Sequence, residues 1–212
     1  SGQNWYTLGT NDRESGFEHY HVTSRWQNGG QLGLAWNRNF ERLDEPFEVH
    51  PGIFIPVGRY QFSELIANFE TDPSAPVFFS GNAALGDFYD GTIRSLDLRG
   101  GYRRGKNLTW TGNWISNFIN LPAGEFNTHL IGLRFNWSFT PKSFLQTFSQ
   151  YNSVTDKIGH NIRLGLLSTS STGLFVVFNT GTSTRDFLDP HDVERRMISR
   201  ALLIKFTRLL DY

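Results

Sequence analysis

The chain has 212 residues, with 20 Lys and Arg balanced by 20 Asp and Glu, so its formal net charge is zero and it carries no field to hold nucleic acid. Cysteine is absent, which excludes disulfide scaffolds, thiol catalysis and thiolate metal sites; no window approaches the roughly 18 apolar residues of a membrane helix. Aromatic residues reach 15% while charged residues make up only 19%, a rich aromatic load on a weakly charged chain.

The opening SGQNWYTLGT has no charged-then-apolar leader, which points to a processed export signal or to a piece of a longer chain. From there period-2 alternation recurs to the end and helical periodicity is nearly absent, so an all-β protein is expected. Strands are predicted over 5–8, 17–26, 31–40, 60–69, 77–85, 93–102, 108–114, 129–139, 142–152, 158–168, 174–179 and 199–210. In the third, Leu32, Leu34 and Trp36 share a face; in the sixth, Leu96, Leu98 and Tyr102 oppose Asp97 and Arg99; in the seventh, Leu108, Trp110 and Trp114 oppose Thr109, Thr111 and Asn113. The eighth is cleanest, with His129, Ile131, Leu133, Phe135, Trp137 and Phe139 opposite Leu130, Gly132, Arg134, Asn136 and Ser138. The tenth sets Ile158, His160, Ile162 and Leu164 against Asn161 and Arg163.

Tight connections carrying Gly, Pro or Asn (28–30, 71–76, 103–107, 140–142, 169–173) take turns with looser ones (9–16, 41–59, 86–91, 119–125, 153–157, 180–198). An up-and-down meander puts alternate connections at opposite ends, and outer-membrane barrels have that asymmetry. A twelve-stranded barrel is too wide for side chains to fill, so an apolar interior would leave a dry void. With the faces reversed the apolar residues meet lipid, and Asp97, Arg99, Asn113, Arg134, Asn136, Asn161, Arg163 and Lys205, with Thr109 and Thr111, line a wet lumen. Strands near 10 residues suit a tilted membrane crossing. Trp26, Trp110, Trp114, Trp137, Tyr102 and Tyr151 are expected at or near the interfacial belts. The last strand alternates Leu202, Ile204, Phe206, Arg208 and Leu210 and stops on Tyr212, resembling the terminal strand that the barrel assembly machinery reads; Arg208 departs from it and must snorkel.

Candidate chemistry is thin. His19 and His21 share a strand face, as a metal pair would, but no third ligand is fixed by spacing. Asp186, Asp189, His191, Asp192 and Glu194 form an oxygen-rich loop without a calcium-loop spacing. A hydrolase triad would need a Ser with His160 and Asp97. Residues 41–59 are acidic and then apolar between Pro51 and Pro56; the prolines are expected to prevent regular ladder pairing, leaving a loop that either folds inward as a constriction or covers the rim. Arg134, Arg163, Arg99 and Lys205 against Asp97 and Glu64 either bias solute passage or satisfy one another across the lumen.

The stretches FERLDEPFEVHPGIFIPVGRY (residues 40–60), GDFYDGTIRSL (86–96), LPAGEFNTHLIGLRFNWSFTPKSFLQTFSQYNSVTD (121–156) and RALLIKFTRLLDY (200–212) resemble the C-terminal half of a bacterial outer-membrane family. In that family a family-9-type carbohydrate-binding domain precedes an uncharacterised β-barrel. The resemblance implies an outer-membrane location, a barrel larger than this chain and an upstream domain; the hydrolase label its members often carry brings no catalytic motif to transfer. The expectation is therefore an antiparallel up-and-down transmembrane β-barrel, residues 1–212 forming the C-terminal portion of a longer protein. It would act as a passive pore or membrane anchor, without metal or cofactor. Its partners would be the lipid bilayer and lipopolysaccharide, the assembly machinery during biogenesis, and a protein in a membrane complex if it serves as a platform. A barrel-embedded hydrolase and a soluble sugar-binding barrel are the alternatives.

Overall fold

Alternating apolar and polar residues, rich in β-branched and aromatic types, favour extended chain that hides one face of its pleat, and extended chain is what a computed structural model shows. It describes residues 2–6, 12–168, 172–183 and 197–208. The strands are β1 (Gly2–Tyr6), β2 (Arg13–Arg25), β3 (Gln31–Leu43), β4 (Phe47–His50), β5 (Ile53–Ile55), β6 (Gly58–Glu70) and β7 (Val77–Phe88), followed by β8 (Gly91–Arg104), β9 (Leu108–Leu121), β10 (Gly124–Thr140), β11 (Ser143–Asn152), β12 (Lys157–Leu167), β13 (Gly173–Ser183) and β14 (Met197–Thr207). Twelve of them form one antiparallel sheet in chain order, and β4–β5 is a separate two-stranded ribbon. All twelve expected strands are present, most of them longer than the alternation alone predicted. Within the described residues β1 and β14 each have one sheet neighbour, so the sheet is not closed on itself.

Two expected loose connections are corrected to tight ones. Residues 86–91 and 119–125 shrink to the two-residue turns Tyr89–Asp90 and Pro122–Ala123 between consecutive strands. The first turn places Tyr89 at a φ of 53°, a conformation that costs energy for a bulky side chain. A Cβ on Gly91 would collide with the Asn120 carbonyl, so glycine is needed where the next strand begins. The connection at residues 44–57 stays long. The acidic cluster at 186–194 and the chain's last residues, Leu210 and Tyr212 included, lie outside the described residues.

The chain divides into two compact units, one of Ser1–Pro73, Ser80–Leu98 and Ile115–Thr128, the other of Ser74–Phe79, Arg99–Trp114 and His129–Tyr212. In the first, β3 alternates cleanly: Leu32, Leu34 and Trp36 are exposed while Gly33, Ala35 and Asn37 are buried. Its neighbours keep the same faces, because Tyr20 pairs with Trp36 and Val22 with Leu34, and Trp36 pairs with Leu65 and Leu32 with Phe69. Towards the 38–42 end that apolar face turns charged, with Glu18 and Arg38 3.9 Å apart. In the second unit Ile131, Leu133, Phe135 and Trp137 pair with Tyr151, Ser149, Thr147 and Leu145, and these with Ile158, His160, Ile162 and Leu164.

Both units are inside out by the standard of a soluble protein. Among the described residues only Ala35, Ile55, Ile119 and Leu121 are buried hydrophobics, whereas Trp110, Leu133, Trp137, Leu34 and Leu202 are among many large apolar side chains left 40% exposed or more. The accessible surface, 14840 Å², is about half again the ~10,000 Å² that a water-soluble monomer of this mass exposes.

Candidate functional site: the polar face of the sheet

In the first unit the face opposite Leu34 and Trp36 carries a connected set of polar side chains. His19 Nδ1 lies 2.6 Å from Asn37 Oδ1, and Asn37 Nδ2 donates to Glu64 Oε1 at 2.8 Å; burial of Asn37 to 7% makes those partners necessary. The His19 and His21 rings lie 5.0 Å apart, tilted by 34°, as their shared face required, but no group of three metal-ligating side chains occurs among the described residues. Asn117 donates to Thr128 Oγ1 at 3.0 Å on this same face.

Over one end of that face lies the β4–β5 ribbon. Prolines were expected to exclude ladder pairing here, and the structure corrects this. Pro46 and Pro56 fall just outside the two strands, while Pro51 and Gly52 make the turn between them, with Gly52 at a φ of 79°, the arrangement of a type II turn. Glu48 Oε1 accepts the Gly52 N–H at 2.9 Å. The ribbon packs inward: Ile55 is 1% exposed against Ile119 and Leu121, with Leu43, Tyr60, Ile93 and Phe126 around it, and His50 stacks on Phe126 at 4.4 Å. At its base the Tyr89 hydroxyl donates to Glu41 Oε2 at 2.7 Å. Burial first, and the Glu41 carboxylate second, push the Tyr89 phenol well above its ordinary value.

In the second unit the polar face is built from Arg, Asn, Gln and Phe in register. Arg134 opposes Phe148 and Asn136 opposes Gln146; across the next ladder Phe148 opposes Asn161 and Gln146 opposes Arg163. The Arg134 guanidinium sits 5.0 Å from the Phe148 ring centre. Arg163 sits 5.0 Å from Phe175 and 5.8 Å from Phe144, and those rings are 6.4 Å apart. Gly165, between them in register, leaves the room that the Phe144 ring occupies. Asn161 donates to Asn179 at 2.5 Å.

Of the eight residues predicted to line a lumen, seven project from this polar side, and Asp97 from the polar side of the first unit. Arg134, Asn136, Asn161 and Arg163 form the patch just described; Lys205 opposes Phe175, Asn113 reaches the position a Gly132 Cβ would take, and Asp97 and Arg99 alternate with Leu98 along β8. The aromatics predicted for the membrane interface project from the other side: Tyr102, Trp110, Trp114 and Trp137 are exposed and Tyr151 is half-buried. Phe144, Phe148 and Phe175 were missed by sequence reading, which has no rule for placing Phe on the polar face of a strand. The available signal was that Phe144 and Phe148 alternate with Gln146 and Gln150.

Of the hydrolase triad, His160 Nδ1 lies 2.8 Å from Ser149 Oγ on the apolar side of the second unit, in register with Leu133, while Asp97 belongs to the first unit. His129 stacks on Trp114 at 6.4 Å, also among apolar residues. That apolar side holds a groove of about 440 Å³ between Phe79, Tyr102, Trp110, Leu133 and Phe135, floored by Gly100 and Gly112.

No family model and no curated protein matches the chain. Among solved structures it is similar to a KdgM porin in complex with disordered oligogalacturonate, at 12% identity over 79% of this chain and 85% of that one, with a TM-score of 0.34. So distant a likeness bears on neither the ligand nor the activity of this chain.

Proposed function

We propose that the chain is part of the wall of an outer-membrane β-barrel that conducts small polar solutes passively. One observation carries the reading, the inversion of the sheet: one face presents exposed Leu, Ile, Phe and Trp, and the opposite face carries the Asn, Gln, His and Arg side chains. In water that arrangement exposes apolar area far beyond the few hundred Å² a soluble monomer tolerates; in a bilayer it places the same area in hydrocarbon and the polar groups against water. The lipid bilayer and lipopolysaccharide are then the partners of the apolar face, and the assembly machinery acts during insertion. The family resemblance of residues 40–60 and 121–156 supports the same location. Conduction is favoured over catalysis because the Ser149–His160 pair projects from the apolar face and no Asp or Glu occurs in the strand segments of its unit.

A second reading, a plugged anchor or partner platform, is favoured by the β4–β5 ribbon lying over the polar face. Both readings are tested by reconstituting the purified protein into planar bilayers. Conduction predicts stepwise current increments, and a plugged anchor predicts insertion without current. A folded protein that stays soluble and monodisperse without detergent would overturn both.

A further inference from the structure

We propose that the polar face of β10–β13 is an oxyanion site, in which Arg134 and Arg163 take the carboxylate or phosphate groups of a solute. Two arginines on a strand surface would ordinarily be mobile, and each would lose side-chain entropy on gripping a ligand. Here each guanidinium lies over phenyl rings, Arg134 at 5.0 Å from the Phe148 centre and Arg163 at 5.0 Å from Phe175 and 5.8 Å from Phe144, an attraction that holds the cation without neutralising it. A ring contact of this kind puts no carboxylate on the guanidinium, whose N–H fork is the group that matches an oxyanion. Among the described residues neither arginine is ion-paired. No Asp or Glu occurs in any strand segment of this unit, where Lys157 and Lys205 add further cations. Asn136 and Gln146 supply neutral donors in the row of Arg163, one row from Arg134.

The site stands on these contacts, and only its role in transport rests on the conduction reading, so the test separates the two. The folded protein in detergent at low ionic strength is titrated calorimetrically with citrate and, separately, with inorganic phosphate. The wild type is expected to bind at least one, and whichever binds tighter identifies the oxyanion. R134Q/R163Q is expected to weaken binding by about tenfold or more, the effect of losing a charge-assisted hydrogen bond. R134K/R163K keeps the charge but not the fork, and is expected to fall between; it also serves if the glutamine variant fails to fold. F148L is expected to weaken binding with both arginines still present. Wild-type protein that binds neither probe, or a folded glutamine variant that binds as tightly as wild type, overturns the proposal. In bilayers under a KCl gradient, preferential chloride permeation lost in R134Q/R163Q supports it. Binding without conductance would remove the pore and leave the site, while cation-selective conductance without binding would remove the site and leave the pore.

Discussion

Truncating Ile55 to alanine tests whether the β4–β5 ribbon is clamped to the polar face by one side chain. Ile55 is 1% exposed, and its truncation removes three carbons. At about 0.8 kcal/mol per carbon, transfer alone costs about 2.4 kcal/mol, and the cavity left behind brings typical buried Ile→Ala changes to about 2–5 kcal/mol. A two-stranded ribbon is marginal by itself, so β4–β5 depends on its docking. A loss of about 3 kcal/mol lowers the docked-to-undocked ratio by about two orders of magnitude. Hydrogen exchange followed by mass spectrometry should show peptides over 47–55 losing protection in I55A while those over 115–121, held by their neighbours in the large sheet, keep theirs. Conductance, if it passes this face, should rise in the same variant. Unchanged protection over 47–55 would show that Val49, Ile53 and the His50–Phe126 stack hold the ribbon without Ile55. Equal loss over 115–121 would show that Ile55 belongs to the unit's core and is no local clamp.

L34R and L133R place a cation on the open face, and in lipid vesicles each should lower folding stability by about 2–4 kcal/mol near the bilayer centre. A change within about 0.5 kcal/mol, as for an ordinary wet surface, would count against the lipid-facing assignment. In G86A the new Cβ meets the Ser63 carbonyl and the Glu64 backbone, which cannot retreat without moving β6, so a loss of about 1–3 kcal/mol is expected in denaturant unfolding; wild-type stability would mean that β6 and β7 do not approach so closely. Tyr89 gives a pH prediction. Its folded pKa is raised, so the unfolded chain deprotonates first. The stability it contributes is therefore whole below pH about 10 and lost as the pH climbs beyond it. Y89F should flatten that alkaline fall in the unfolding midpoint, and an unaltered fall would place its origin elsewhere.

Strand positions and faces were legible because the signal is local. Leu32-Gly33-Leu34-Ala35-Trp36-Asn37 states its period in six residues, and one face had to be hidden from something. Turn lengths were less so. GDFYDG at 86–91 has the composition of a loop, yet Phe88 and Tyr89 are drawn into strand and tight turn by packing against Phe62 at 6.3 and 5.2 Å, a contact made with the neighbouring strand β6. The ribbon was missed for a related reason: a proline excludes ladder pairing only where its missing N–H is needed, and Pro46 and Pro56 stand outside the paired residues. Phe144, Phe148 and Phe175 show the limit of sorting by hydrophobicity, since what places them on the polar face is register with Arg134 and Arg163, two strands' worth of information that no window contains.

The balanced charge also conceals a division that only the fold exposes. Glu14, Glu18, Glu41, Glu64, Glu70, Asp87 and Asp97 all fall in strand segments of the first unit, whereas those of the second hold Arg99, Arg103, Arg134, Lys157, Arg163 and Lys205 without one carboxylate. A sum over 212 residues averages these regions away, although screening confines each charge to about 10 Å. Zero net charge therefore argues against a long polyanion gripped by the whole surface. It is silent about a small anion, which meets only the residues of one face.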